Sequence, residues 1–184
     1  MTAPHLHTVA WRRPDGAGHE AARLFIDDEG WRLAGMAVGA PDGTPTAVSY
    51  VVACDGEWRT RRGALAGWIG GTNVRLTLRV DPDGRWSLNG VAQPAAHGCI
   101  DVDYALGPAT RAPAIRRLRL AVGEAAESRT ARLHLPSGRL EGVTRRYARV
   151  ADRTYRCEED GGADVTLVVD AHGMPVETGG AASV

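Results

Sequence analysis

The hydrophobic pattern of this chain is one of alternation. It is clearest from Val74 to Val80, where Val74, Leu76, Leu78 and Val80 share one face of an extended chain and Arg75, Thr77 and Arg79 the other. That is the signature of a half-buried antiparallel strand. Asp81-Pro82-Asp83-Gly84 supplies a turn, and Arg85-Trp86-Ser87-Leu88 returns. Val48 to Cys54 is a β-branched run closed by Asp55-Gly56, and Trp58 to Arg62 completes a hairpin. Leu24-Phe25-Ile26 ends in the turn residues Asp27 to Gly30, which favours strand over a helix from Glu20 to Phe25. Similar runs follow at 129–135, 140–144, 146–150, 155–158 and 165–170. No helix of three turns emerges. The pattern predicts a mainly β chain, one antiparallel sheet curled into a roll or open barrel to manage its edges.

One stretch carries more chemistry than the rest. In Gly98 to Tyr104, alternation puts Cys99, Asp101 and Asp103 on one face and Ile100, Val102 and Tyr104 on the other. Pro108 and Pro113 bracket a connection too long for a tight hairpin, after which 115–120 reads as a second strand. In that strand Arg117 and Arg119 share a face opposite Arg116, Leu118 and Leu120. The arrangement sets Asp101 or Asp103 against one of these arginines.

Composition narrows the function classes. Twenty-two basic and 22 acidic residues leave no net charge, which argues against a nucleic-acid or anionic-lipid footprint. All the basic residues are arginine; with so much alanine and glycine, this reflects a GC-rich coding sequence. Cys54, Cys99 and Cys157 are far apart and odd in number, which predicts reduced thiols. With no signal-peptide core and no apolar span, the reading is a cytoplasmic protein. Its 184 residues read as a single domain with a core from about 11 to 177. Residues 1–18 read as a polar arm anchored by Trp11, with His5 and His7 solvated, and 178–184 as a disordered tail.

An ordered set of residues carries a resemblance. It comprises Gly18-x-Glu20, Gly30-Trp31-x-x-x-Gly35, Tyr50 with Asp55-x-x-Trp58-Arg59, Asp83-Gly84-x-Trp86, Gly98 to Asp103, Pro108-x-Thr110 and Ile115 to Leu118. From about Trp11 to about Gly173 the chain resembles the bacterial putative glycolipid-binding family, formerly a domain of unknown function. The resemblance implies a spiral β-roll and a role in binding glycolipid or a related amphiphile. The chain departs from the family's pattern at Arg111, at Pro113 and at Thr178, where a tyrosine is expected.

Candidate ligand-binding residues are Asp101, Asp103, Arg116 and Arg117, as carboxylates for sugar hydroxyls and guanidiniums for a headgroup. Tyr50, Trp58 and Trp86 are candidates for ring stacking, and Arg61 for a cationic inner face. The same acids and arginines more readily make a salt-bridge network that fixes register. Trp58 and Trp86 also suit the core, and Trp68, in a loop at 67–71, is the tryptophan expected to be exposed. A metal at His97, Cys99, Asp101 and Asp103 is disfavoured, because alternate strand residues start about 6.6 Å apart. No cofactor is implied. The reading is non-catalytic binding of an amphiphile in the concave interior, apolar tail inward and polar head at Asp101–Arg117. A carboxylate-dependent hydrolase acting on a glycoconjugate is the alternative, and an interaction module using a sheet edge the third.

Overall fold

The computed structural model describes residues 5–13, 16–159, 164–179 and 181–182. The first sheet is an eight-stranded antiparallel meander. It comprises β1 (His5–Arg12), β2 (Gly18–Asp27), β3 (Gly30–Gly39), β4 (Thr46–Cys54), β5 (Thr60–Ile69), β6 (Thr72–Val80), β7 (Trp86–Leu88) and β8 (Val91–Ala92). The second comprises β9 (Asp101–Asp103), β10 (Ala125–His134), β11 (Arg139–Ala151), β12 (Thr154–Glu159), β13 (Val165–Val169), β14 (Pro175–Thr178) and β15 (Ala181–Ala182). It too is a meander, except that β9 lies parallel to β10.

The architecture is mainly β, with antiparallel sheets of which one is a curled half-barrel, as in a β-roll. The ladder is not continuous, however: it breaks into two sheets where the chain leaves β8. Ile100 spans the break. Its N–H donates to the Arg129 carbonyl of β10 (2.8 Å), and its carbonyl accepts the N–H of Thr60 in β5 (3.0 Å).

The run expected as a second strand after Asp103 is a helix instead. A 3₁₀ turn at Pro108–Arg111 leads into α1, Ala112–Leu118. Pro113 sits in the first turn, where a missing N–H costs nothing, and alanine, leucine and arginine favour helix. Arg116 and Arg117 lie in the last turn, where the helix dipole favours cations. Arg119 ends the helix in the left-handed region, at φ 48°. The apolar positions of so short a segment fit either period, and its prolines read equally as loop or helix start.

Other boundaries move as well. The runs 140–144 and 146–150 form one strand, β11. Residues 67–69 belong to β5, leaving only Gly70 and Gly71 as turn. The N-terminal arm is a strand from His5, because Val9 and Trp11 face inward and the Trp11 indole N–H donates to the Pro175 carbonyl (2.9 Å). His7 is half-buried, stacked on the His172 ring, with its Nε2 2.5 Å from Asp170 Oδ2. At the other end Ala181–Ala182 pairs with Glu177–Thr178, so this part of the tail is strand. Residues 180, 183 and 184 of the expected tail lie outside the described residues.

The larger core fills the inner side of the first sheet. Val48, Tyr50, Val52, Leu65, Leu78 and Trp86 meet Val102, Tyr104, Leu133 and Leu140 there. A smaller core packs Ala114, Ile115 and Leu120, in and just after α1, onto Tyr147, Tyr155, Leu167 and Val169 of the second sheet. Cys54, Cys99 and Cys157 are buried free thiols.

Candidate functional site

Burial along β2 alternates without a break from Gly18 to Leu24, and Glu20 falls on the inward side with Ala22 and Leu24. Only 3% of Glu20 is exposed. One carboxyl oxygen accepts the Tyr50 hydroxyl, and the other lies 3.5 Å from the Ala109 N–H, against the backbone of Gly107. A Cβ at Gly107 would overlap that oxygen. Burial is the main reason the Glu20 carboxyl is pushed up to about 7, and nearby Asp103 adds to it. The Tyr50 phenol is pushed up in turn, by burial and by Glu20.

Glu20 stands in the wall of a cleft of about 440 Å³ at the seam between the sheets. Trp11, Leu106, Pro108 and Val165 supply apolar surface, and Arg12, Arg111 and Arg132 supply guanidiniums. Asp103, likewise 3% exposed, lies at its base. Asp103 Oδ1 accepts the Ala105 N–H (2.8 Å) and the Thr110 hydroxyl (2.9 Å), and Oδ2 accepts Arg145 Nη2. Burial works against ionisation of Asp103, but the Arg145 and Arg111 guanidiniums outweigh it and hold the carboxyl well below the usual range. Arg145 is 1% exposed and also holds Glu159 through Nε (2.8 Å), while Arg132 pairs with the same carboxylate. Arg111 Nε is buried with no hydrogen-bond partner.

The predicted site residues fall in different places. Asp101 and Arg117 do meet, at 2.5 Å, with Ser128 bridging them at 2.5 and 2.7 Å. That cluster is internal, and burial raises the Asp101 carboxyl against the pull of Arg117. Asp103 takes Arg145 as its partner instead. The helix turns Arg116 away from Arg117: its guanidinium lies over the Trp58 and Trp31 rings, at 4.7 and 5.4 Å. Tyr50 is behind Glu20. Trp86 is core, its indole N–H donating to the Cys99 carbonyl (3.0 Å). Arg61 is a surface partner of Asp55, at 2.7 Å. Trp68 is 43% exposed. Among the described residues no group of three or more His, Cys, Asp or Glu side chains is placed to hold a metal.

Glu20, Arg111, Arg132 and Arg145 were not among the predicted site residues. Glu20 was legible, being a charged residue on the inward register of an alternating strand. Arg132 and Arg145 carried no such signal, since the pairing of Arg145 with Asp103 and of Arg132 with Glu159 joins strands that are not consecutive in the chain.

A family model described as putative glycolipid-binding matches residues 8–183. The chain belongs to that family. A crystal structure of a DUF1089 family protein from Pseudomonas aeruginosa is similar to it, at 24% identity and a TM-score of 0.66 over 96% of this chain and 91% of that one. That likeness shows the fold. No curated protein matches. Among the described residues of this family member, no helix is long and apolar enough to cross a membrane.

Proposed function

We propose that the protein binds an amphiphilic small molecule of glycolipid type in the seam cleft, without chemistry. The observation that carries this is Glu20, a buried carboxyl at the wall of a cleft that also presents apolar surface, three arginines and the ion-paired Asp103. Beyond the Tyr50 hydroxyl that it accepts, a carboxyl with its pKa at about 7 can both donate and accept near neutral pH, which suits a sugar hydroxyl. Trp11, Leu106 and Val165 would take the apolar part of the ligand, and Arg111, with an unpartnered buried Nε, its polar head. The family's description supports the same ligand class. Three buried free thiols and a balanced charge support a reducing compartment, the cytoplasm, and no nucleic-acid partner.

The test is native mass spectrometry after exposure to a cell lipid extract, beside Thr178→Trp, which fills the cleft mouth from a half-exposed position. A discrete adduct on the natural protein that the folded variant loses is the expected result. No adduct on the natural protein, or the same adduct on both, overturns the reading.

One observation favours the hydrolase alternative: Glu20 and Asp103 face the same cleft with pKa values pushed in opposite directions. Both oxygens of Asp103 are already bonded to Ala105, Thr110 and Arg145, however, which leaves it poorly placed as nucleophile or base. Binding therefore ranks first. Turnover of aryl glycosides that Glu20→Gln abolishes would reverse the order.

A further inference from the structure

A second cleft, of about 510 Å³, opens where the end of α1 meets the β11–β12 and β13–β14 turns. Its walls carry four arginines, Arg116, Arg119, Arg149 and Arg153, against two aspartates, Asp152 and Asp170. Asp170 is engaged elsewhere: its Oδ1 accepts the His172 and Met174 N–H groups (2.8 and 3.0 Å), and His7 approaches its Oδ2. Asp152 lies beside Arg149 (3.3 Å) and at 4.0 Å from Arg153. Arg116 gives a hydrogen bond to a carbonyl, that of His172 (3.0 Å), and its face to two indoles. Among the described residues, Arg116 and Arg119 are thus left without a carboxylate within ion-pair distance.

The aromatic floor is built to hold these cations in place. Trp31 and Trp58 stack at 4.1 Å with Arg116 close to both rings, at 5.4 and 4.7 Å, and Arg149 lies over Tyr155 at 5.8 Å. A guanidinium fixed on a ring keeps its edge donors directed outward for a bidentate acceptor. Trp58 is itself held at φ 65°, a left-handed conformation that is unfavourable for a bulky residue and persists only where the surroundings impose it. Burial, with the like charge of Arg119 adding to it, pulls the Arg116 guanidinium below its ordinary pKa against the opposing charge of Asp170.

We propose that this cleft is a second binding site, for a phosphate ester, with the phosphate taken by Arg116 and Arg119 and its ring or polyol set beside Trp58 and Tyr155. The excess of two positive charges matches a phosphate monoester, which carries about −1.5 to −2 near neutral pH. A soluble sugar phosphate and a phosphate-bearing lipid headgroup present the same group.

Calorimetric titration with glucose 6-phosphate and with glucose, and sedimentation with vesicles of phosphatidic acid in phosphatidylcholine, test it. Glucose 6-phosphate should bind and glucose should not, with affinity falling as salt rises. Arg119→Glu/Arg153→Glu, both at exposed positions, should weaken binding about tenfold or more, the loss of one or two charge-assisted contacts. Arg119→Gln, a milder change, should weaken it in the same direction if the double variant folds poorly. Vesicle binding that glucose 6-phosphate displaces would assign the headgroup to this cleft, and soluble ester binding alone would assign a metabolite. Thr178→Trp should leave glucose 6-phosphate binding unchanged, since it lies at the other cleft. Equal affinity in natural and folded variant proteins, equal binding of glucose, or no binding of any phosphate ester overturns the proposal.

Discussion

The Tyr50 hydroxyl reaches Glu20 from two strands away. Tyr50 is on β4 and Glu20 on β2, and the ring crosses β3 over Gly35, its own register partner. Any side chain at position 35 would occupy the space of the Tyr50 ring. This crossing holds Glu20 at the cleft wall, and the Tyr104 hydroxyl likewise lies over a glycine, Gly63, where it donates to the Val51 carbonyl (3.0 Å).

Gly35→Ala should therefore destabilise the fold by about 1–3 kcal/mol, the usual range for overpacking. The cost should shrink when Tyr50 is also Ala, because the clash partner is then gone. A double-mutant cycle from urea denaturation measures the coupling. Additive effects would show that the ring does not depend on the glycine.

Glu20 makes stability depend on pH in a definite direction. Its folded pKa of about 7 lies above the ordinary 4.5, so the folded state holds a proton that the unfolded state has released. The stability this carries is fully present below pH 4.5 and is lost as pH rises through 7. The loss amounts to about 3 kcal/mol. Glu20→Gln should flatten that part of the profile and be more stable than the natural protein at alkaline pH. Urea midpoints measured from acid to mildly alkaline pH decide it, and parallel profiles would refute the assignment.

Asp103 acts with the opposite sign. Its carboxyl is held below the ordinary value of 3.8, so its contribution is present above that pH and lost as pH falls further. Arg145→Met leaves Asp103 and Glu159 without their shared buried cation. The expected cost is about 3–5 kcal/mol at neutral pH. Asp103→Asn in the same background should recover part of it. A cost near zero would mean that water reaches the pair.

Trp68 is the most exposed tryptophan, and Trp11 and Trp86 are each 1% exposed. Trp68→Phe should remove most of the acrylamide-quenchable emission. It should change stability by no more than about 0.5 kcal/mol, as surface substitutions do. Unchanged quenching would place another indole at the surface.

The alternation of Val74 to Val80, the Asp81 to Gly84 turn and the runs around Val48 and Val165 were legible because strand period and turn chemistry are local. The inward placement of Glu20 was legible on the same grounds. Helix α1 was not, because seven residues with two arginines in succession fit either period and only packing onto Tyr147 and Leu167 decides. The interior expected to hold ligand is packed core, and the candidate site lies at the seam beside it.

By itself, then, the sequence determined a mainly β chain of short antiparallel strands, its family, and that an aspartate of 101–103 meets an arginine of 116–119, without saying which. Periodicity, turn residues and motif order are properties of neighbours along the chain. Tertiary structure alone decided the break into two sheets, the pairing of Asp103 with Arg145, and the two clefts with their uneven charge. Each of these depends on which side chains from distant strands share one low-dielectric space, and there burial and a single neighbouring charge decide whether a carboxyl is neutral or ionised.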